Sequence, residues 1–599
     1  MTGTYESRAA AHAGRRDVEA RRSAGIARVR LVVFLAAAAV IVWALANGLR
    51  APRLEAAGGL LAVFVALVVW HAQVEHRAAW HGALRVACDQ AGARVDRRWD
   101  DLPPGTPPAG IDLTRHPYAL DLDLFGRASL FQWLGPTATP GGALRLAQWL
   151  LVPADPGVIR ERQAAVAELA ANPEWREQLA AHGVLARASR DTDLDAFLRW
   201  AETPSDPHRW LKVTVAVLLA AIWLLLLTDA ASGWWMVPML GGVVLSFSMS
   251  GRLQASLERA GGGQEALGRY AALLEHAAGA RFEAEALRRL QARLSVGALA
   301  APDWMRRLSR VLGFGELRTS AALLHFPIQA LTLWDFHVYF ALDRWRRMAG
   351  GHVRDWLAAL ADLDALASLA ASRHDNPGWA EAQIDASPVM VARGLGHPLL
   401  PEARRVANDV EVGPPATLLL VTGSNMSGKS TLLRSIGLNL VLGQAGGPVC
   451  AASLRMPPTD LQSSIRIQDS LELGLSYFMA ALARLKGVVD AAERPSEGRV
   501  LCYLLDEILQ GTNSLERGIA VQGVARHLLA AHAIGVMTTH DLNLAHEEPL
   551  RSSARLVHFT ELVDPDGTMR FDYRLREGLA TSRNALRLMK MIGISLEGS

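Results

Sequence analysis

Long uncharged apolar runs and shifts in apolar periodicity divide this chain into parts. Two runs, 31–49 and 56–74, contain no charged residue, and each is long enough for a helix that crosses a bilayer. A short turn carrying Pro52 separates them, which predicts a helical hairpin. A second pair, 213–227 and 233–249, repeats the arrangement. Pro238 and the Gly241-Gly242 step interrupt its latter half, a composition that membrane helices tolerate. Trp43, Trp70, Trp210, Trp234 and Trp235 lie within or near the run ends, where indole rings favour the interface. About thirty polar residues precede the first run, and that run is too long for a signal-peptide core, so an uncleaved span is the expectation.

Elsewhere the apolar residues first recur at helical spacing, through 76–100, 158–200 and 251–300, with a break expected near Gly261-Gly262-Gly263. The stretch Pro103-Pro104-Gly105-Thr106-Pro107-Pro108 reads as a stiff linker. A further helix is predicted over 355–374, ending before Asn376-Pro377-Gly378. Stripes such as Leu287, Leu290 and Leu294 read as packing seams. Beyond residue 379 the pattern changes to short continuous apolar runs at 418–421, 500–505 and 533–538. Such runs suit strands buried on both faces of a parallel sheet.

Charge then sets direction. Arg15, Arg16, Arg21, Arg22, Arg28 and Arg30 crowd the N-terminal side of the first run, whereas its connecting turn has only Arg50 and Arg53. The second turn has no basic residue, while Arg77, Arg85, Arg209, Lys212 and Arg252 flank the opposite ends. The bias of basic residues toward the cytoplasm therefore places both termini, 75–208 and everything after 250 inside, with four spans in a bacterial-type inner or cell membrane. The net charge of +3 over 599 residues does not by itself call for a nucleic-acid partner. The clusters Arg306, Arg307, Arg310 and Arg344, Arg346, Arg347 read first as solvated helix faces, with contact to phosphates of DNA or lipid as the alternative. Cys88, Cys450 and Cys502 are scattered and odd in number, which fits a reducing compartment and no metal cluster.

The chemistry is concentrated in the strand-like region. Gly423 to Ser430 fits G-x-x-x-x-G-K-[ST] directly after the 418–421 run, a loop whose backbone N–H groups cradle phosphates at a helix N-terminus. Gly423, Ser424, Asn425, Met426, Ser427, Gly428, Lys429, Ser430 and Thr431 are thus the candidate ATP-binding residues. Lys429 would offer charge to the outer phosphates, and Ser430 a hydroxyl to Mg²⁺. The run 500–505 ends in Asp506-Glu507: Asp506 would hold Mg²⁺ and Glu507 would polarise the attacking water. His540 follows the run 533–538 and is placed to sense the terminal phosphate.

Taken together, Gly423-Ser-Asn-Met-Ser-Gly-Lys-Ser-Thr431, Asp506-Glu507 with Gly511-Thr512-Asn513-Ser514, and Thr538-Thr539-His540 resemble the ATPase of MutS proteins. Ser476-Tyr-Phe-Met479 stands where that family carries Ser-Thr-Phe-Met, and Gly396-His397-Pro398 and Asn408-Asp409 match its approach to the domain. Upstream, 363–370 resembles the end of the family's lever helix. The stretch 123–151, with Ser129-Leu-Phe-Gln132 and Thr137-Ala-Thr-Pro-Gly-Gly142, resembles the opening of its core domain.

The resemblance implies an α/β P-loop NTPase of ABC type at the C-terminus, behind a mostly helical core and lever region with four transmembrane helices. It implies a homodimer in which Ser476 of one subunit meets nucleotide on the other. The expected order is a basic cytoplasmic segment (1–30), a first transmembrane hairpin (31–74), a helical segment with linker (75–111) and a core-like region (112–208). A second hairpin (209–250), a lever-like region (251–378) and the ATPase domain (379–599) follow. The two hairpins stand where soluble relatives place DNA-wedge and clamp segments, and no Phe-x-Glu wedge precedes the core. The leading reading is a membrane-anchored, Mg²⁺-dependent ATPase that switches the conformation of a dimer in the lipid bilayer and acts on an unidentified client. A membrane-tethered DNA-binding ATPase of mismatch repair or recombination is the alternative, with only weak DNA binding expected. An active transporter ranks third, because four spans supply little polar lining.

Overall fold

The computed structural model describes residues 2–48, 50–187, 194–203, 209–228, 230–320, 322–415, 417–424, 427–466, 477–494, 496–509, 514–563 and 569–580. Helices dominate up to residue 375, and sheets dominate beyond it.

The chain opens as two very long helices, Thr2–Ala46 and Ala51–Asp96, which pack along each other. Gly48, at φ 88°, makes the turn between them, and Pro52 sits in the first turn of the second helix, where its missing N–H costs no helical bond. Both helices outrun their apolar halves. The Arg- and Ala-rich stretch before residue 31 is helix, built from good helix formers. Its rings and hydroxyls pair with the returning helix, through His12 on His81 and Ser23 on His71.

Helix Arg209–Thr228 is the third element long and apolar enough to cross a membrane. Its partner Met236–Gly279 bends by 51° between Gly251 and Gln254, and counts as a fourth span only if that bent pair is one. The expected break at Gly261-Gly262-Gly263 does not occur: helix continues to Gly279. Packing against Ala301–Ser320 and Leu194–Glu202 overrides the weak propensity of three glycines.

The central buried rod is helix Val353–Asp375, whose Leu and Ala positions are covered by Pro140–Leu151, Pro156–Ala171 and Glu285–Arg293. Asp364, in its middle, accepts hydrogen bonds from Ala138 N (2.8 Å), Thr139 N (2.7 Å) and Thr139 Oγ1 (2.8 Å). Thr139 in turn caps Gly142 N at 2.9 Å. A Cβ on Gly142 would fall 2.0 Å from Asp364 Oδ2, so this turn admits only glycine. The far end of the rod is also held: Asp375 accepts from Tyr5 Oη (2.8 Å) and Arg94 Nε (2.9 Å). These bonds tie both helices of the first hairpin to the rod.

The main sheet contains β1 (Leu418–Thr422), β2 (Thr459–Ser464), β3 (Val500–Leu505), β4 (Ile534–Thr539), β5 (Ala554–His558) and β6 (Arg576–Glu577), in the order β6-β5-β1-β4-β3-β2. All neighbours are parallel except β5 and β6. A second, five-stranded sheet of Ala380–Ile384, Met390–Leu395, Asn408–Val412, Pro448–Val449 and Ser453–Met456 lies beside it. The helical part grips the main sheet through buried Asp121, whose carboxylate accepts from Ser463 Oγ (2.7 Å), Ile465 N (3.2 Å) and Arg466 N (3.1 Å) at the end of β2.

Candidate nucleotide-binding site

β1 is buried along its whole length and delivers the chain to Gly423 at the carboxyl edge of the sheet, where ligands of open α/β sheets bind. Gly423 has φ 147° and Gly428 φ 110°, in the left-handed region that disfavours a side chain. A Cβ would also meet Ser427 Oγ at 2.9 Å in the first case and the Tyr573 ring at 3.1 Å in the second. Ser427 is buried, and its Oγ has no hydrogen-bond partner among the described residues. Asn425 and Met426 lie outside the described residues, as does Ser476. Helix Lys429–Ala445 starts immediately after Gly428, so its positive dipole end faces the loop.

Three ionisable side chains, from the segments that follow β1, β3 and β4, converge here. Lys429, almost fully buried, donates to Gly423 O (2.8 Å) and Ser424 O (2.9 Å) and lies 3.1 Å from Glu507 Oε1. The His540 ring is 3.5 Å from its Nζ, and His540 Nε2 is in direct contact with the same Glu507 oxygen. Glu507 holds a positive φ of 44°, unusual for a residue with a side chain. Its N–H donates to Thr538 Oγ1 at 3.0 Å, and the Thr538 hydroxyl donates in turn to Asp506 Oδ1. One threonine on β4 thus fixes both acids that follow β3. Asp506 N is held by Ser464 O at 2.9 Å.

The cleft that these residues border measures about 680 Å³, a size suited to a nucleotide-sized ligand. Ser424, Gly428, Lys429, Ser430, Thr431 and Glu507 line one side. His397, Arg404, Val406, Phe559 and Tyr573 also line the cleft, with Phe559 and Tyr573 against the glycines of the loop, and the sequence reading assigned none of these a role. Asn408 pins the Tyr573 stretch, donating to Tyr573 O (3.0 Å) and accepting from Leu575 N (2.7 Å). Asn408 and His397 stood in stretches already singled out, whereas nothing in the local sequence marks Phe559 or Tyr573.

Burial and pairing set the charges. Burial lowers the Lys429 ammonium below its ordinary pKa, and the Glu507 charge offsets this only in part. For Glu507 burial pushes upward, but the hydrogen bond to His540 and the charge of Lys429 together carry it below the usual carboxylate value. His397 falls to about 4 through burial, reinforced by Arg434 and Arg405, and so is neutral near pH 7. The Cys502 thiol is driven up to about 12 by burial, leaving it protonated and unreactive.

Residues 419–597 match the family description MutS domain V. This stretch contains Lys429, Asp506, Glu507 and His540. This C-terminal stretch is similar to domain V of MutS proteins. It is 30% identical over 248 residues to the DNA mismatch repair protein MutS of Natronomonas pharaonis, covering 40% of this chain and 28% of that protein. The MutS protein of Parasynechococcus marenigrum is 31% identical over 314 residues, 50% of this chain and 33% of the relative. That of Leuconostoc mesenteroides is 29% identical over 241 residues, 39% and 28% respectively. The chain thus spans about a third of the length of the curated MutS relatives it matches.

Proposed function

We propose that this chain is a membrane-anchored MutS-type ATPase with a P-loop site, in which ATP binding and hydrolysis switch a dimer that acts on a client in or near the bilayer. The convergence of Lys429, Glu507 and His540 beside the glycine-bounded loop carries this reading. The triphosphate would lie along Gly423 to Thr431, with the base toward His397, Phe559 and Tyr573. The donor set also suits Mg²⁺: Ser430 offers a hydroxyl and Asp506 a carboxylate oriented by Thr538, both hard oxygen donors. Bound Mg²⁺ would neutralise charge on the outer phosphates.

Lys429 directs its donors at two loop carbonyls and Glu507. A γ-phosphate would draw the ammonium away and leave Glu507 with His540. The carboxylate could then accept a proton from the attacking water while His540 holds it in place. The asymmetric pull of Thr538 on Asp506 and on the Glu507 backbone keeps the two acids apart in role. In the dimer, Ser476, which precedes helix Tyr477–Glu493 in the sequence, would meet the partner's terminal phosphate.

Three long apolar helices, and a fourth if the bent pair is one span, support anchoring. The basic flanks support a cytoplasmic ATPase domain. The name of the matched relatives, DNA mismatch repair protein MutS, favours a second reading in which the anchored ATPase acts on DNA.

The experiment is ATP turnover by the purified full-length protein in detergent with Mg²⁺. Lys429→Ala should weaken nucleotide binding. Mixing Lys429→Ala subunits with Ser476→Arg subunits should regenerate one working composite site per heterodimer. Folded, associating mixtures that never recover activity would remove the trans contact from this account. Wild-type protein without Mg²⁺-dependent turnover would remove the ATPase itself.

A further inference from the structure

Residues 322–342 lie outside every run long enough to cross a membrane, yet they pack on the second apolar hairpin. Helix Ala322–Thr332, with Pro327 inside it, reaches a reversal at Leu333 (φ 51°), and helix Trp334–Ala349 leads away again. Leu333 and Phe336 form a buried cluster with Leu211, Val215 and Met249 of the hairpin.

The register of this packing gives depth. Leu333 seats against Gly242, where a Cβ would come 2.6 Å from its Cδ2. Gln329 Nε2 donates to Ser246 Oγ at 2.9 Å. Lys212, at the opening of helix Arg209–Thr228, sits 5.7 Å from the centre of the Phe340 ring. Gly242 is about 13 Å along the helix axis from Gly251, at ~1.5 Å rise per residue. The hydrocarbon core is about 30 Å thick, so the Leu333 turn reaches near its middle and Phe340 lies near its cytoplasmic edge.

The chemistry of the reversal suits that depth. Non-helical backbone survives inside a bilayer only where protein satisfies it, and the N–H of Asp335 is capped by Gln329 Oε1 at 2.8 Å. His325 Nε2 and Asp335 Oδ1 pair at 2.9 Å, both side chains being buried. The opposite side is apolar and open: Phe326 is 70% exposed. The hairpin positions Val217, Val244 and Phe247 are exposed as well. Arg306, Arg307 and Arg310 precede the segment and Arg344, Arg346 and Arg347 follow it, a cytoplasmic-side distribution.

We propose that residues 322–342 form a re-entrant helical hairpin that enters the cytoplasmic leaflet beside the second hairpin and turns back at Leu333, with Phe326 in contact with lipid acyl chains. This rests on the membrane reading given above. It adds an intramembrane polar network of His325, Asp335, Gln329 and Ser246 at the point where the membrane part joins the lever-like helices.

The test is collision accessibility of a nitroxide in full-length protein reconstituted into liposomes. The label is placed at Phe326→Cys, with Val217→Cys in the span and Met348→Cys beyond the hairpin as references. The native cysteines are all buried. At position 326 the label should collide with oxygen several-fold more than with a water-soluble nickel chelate, as at 217, with the reverse at 348. Nickel access at 326 with a lipid-like 217 would overturn the re-entrant hairpin alone. Low access to both reagents at 326 would also overturn it, since a second copy or another protein would then cover the face. Nickel access at both 217 and 326 would remove the membrane reading on which the proposal stands.

Discussion

Glu507 meets Lys429 and His540 through one carboxylate oxygen, so its removal should separate binding from hydrolysis. Glu507→Gln should still retain ATP while turnover falls by about 10²-fold or more, the usual worth of a positioned base. Equilibrium nucleotide binding and single-turnover hydrolysis measure the two halves. Unchanged turnover would take Glu507 out of the water-activating role. His397 gives a pH prediction with a defined sign. Its folded pKa, about 4, lies below the unfolded value near 6.5, so the unfolded state takes up the proton first. Stability from this residue is complete above pH 6.5 and is lost as pH falls toward 4, by at most about 3 kcal/mol. Across that window the wild type should lose melting temperature relative to His397→Gln as pH falls, and a constant difference between the two would contradict it. Lys429, Asp506, Glu507 and His540 were legible because each follows an apolar run at a known spacing. The roles of Thr538, Asn408 and Asp121 were not, because each bonds residues that are remote in the chain, such as Asp121 with Ser463 and Thr538 with Asp506.

At the scale of elements, the joint between Asp364 and the turn before helix Pro140–Leu151 is the one most exposed to a single change. Asp364→Ala would leave the Ala138 and Thr139 amides buried without their acceptor, at about 1–3 kcal/mol for each orphaned group. Thermal unfolding of the detergent-solubilised protein should therefore shift markedly, with Gly142→Ala acting at the same place by collision with Asp364. A melting point unchanged in both variants would contradict the joint. The sequence marked the small residues of that turn but gave no reason for them; the reason is a carboxylate on another helix. Glycines misled in the opposite way at 261–263, where local propensity predicted a break and neighbouring helices hold a continuous one. The segment 322–342 escaped because its helices are short and carry His325, Gln329 and Asp335, so that no apolar run announces them.

For the whole molecule, the two hairpins and the ATPase domain meet through the rod Val353–Asp375, which Tyr5 and Arg94 hold at its end. In the proposed function this continuity would give nucleotide-driven movement a mechanical route to the long apolar helices. Reporter fusions after Arg50 and after residue 229 should read as extracytoplasmic, and fusions near Gly110 and after Ser599 as cytoplasmic. A cytoplasmic reading after 229 alone would mean that the bent second hairpin dips into the bilayer without crossing. The proposed function has this MutS-like ATPase working at a membrane and not on mismatched DNA. Sequence-independent DNA affinity requires a concentrated basic surface and falls steeply with salt. Several arginines here are already paired within the chain, as Arg306 is with Glu275 and Asp303, and Arg347 with Asp343. The most direct measurement is the ATPase rate and duplex affinity of the full-length dimer at physiological salt, with matched and mismatched DNA, in detergent and in liposomes. The account predicts weak binding, no preference for the mismatch, and a rate that responds more to lipid than to DNA. Tight, mismatch-selective binding that stimulates hydrolysis would contradict it.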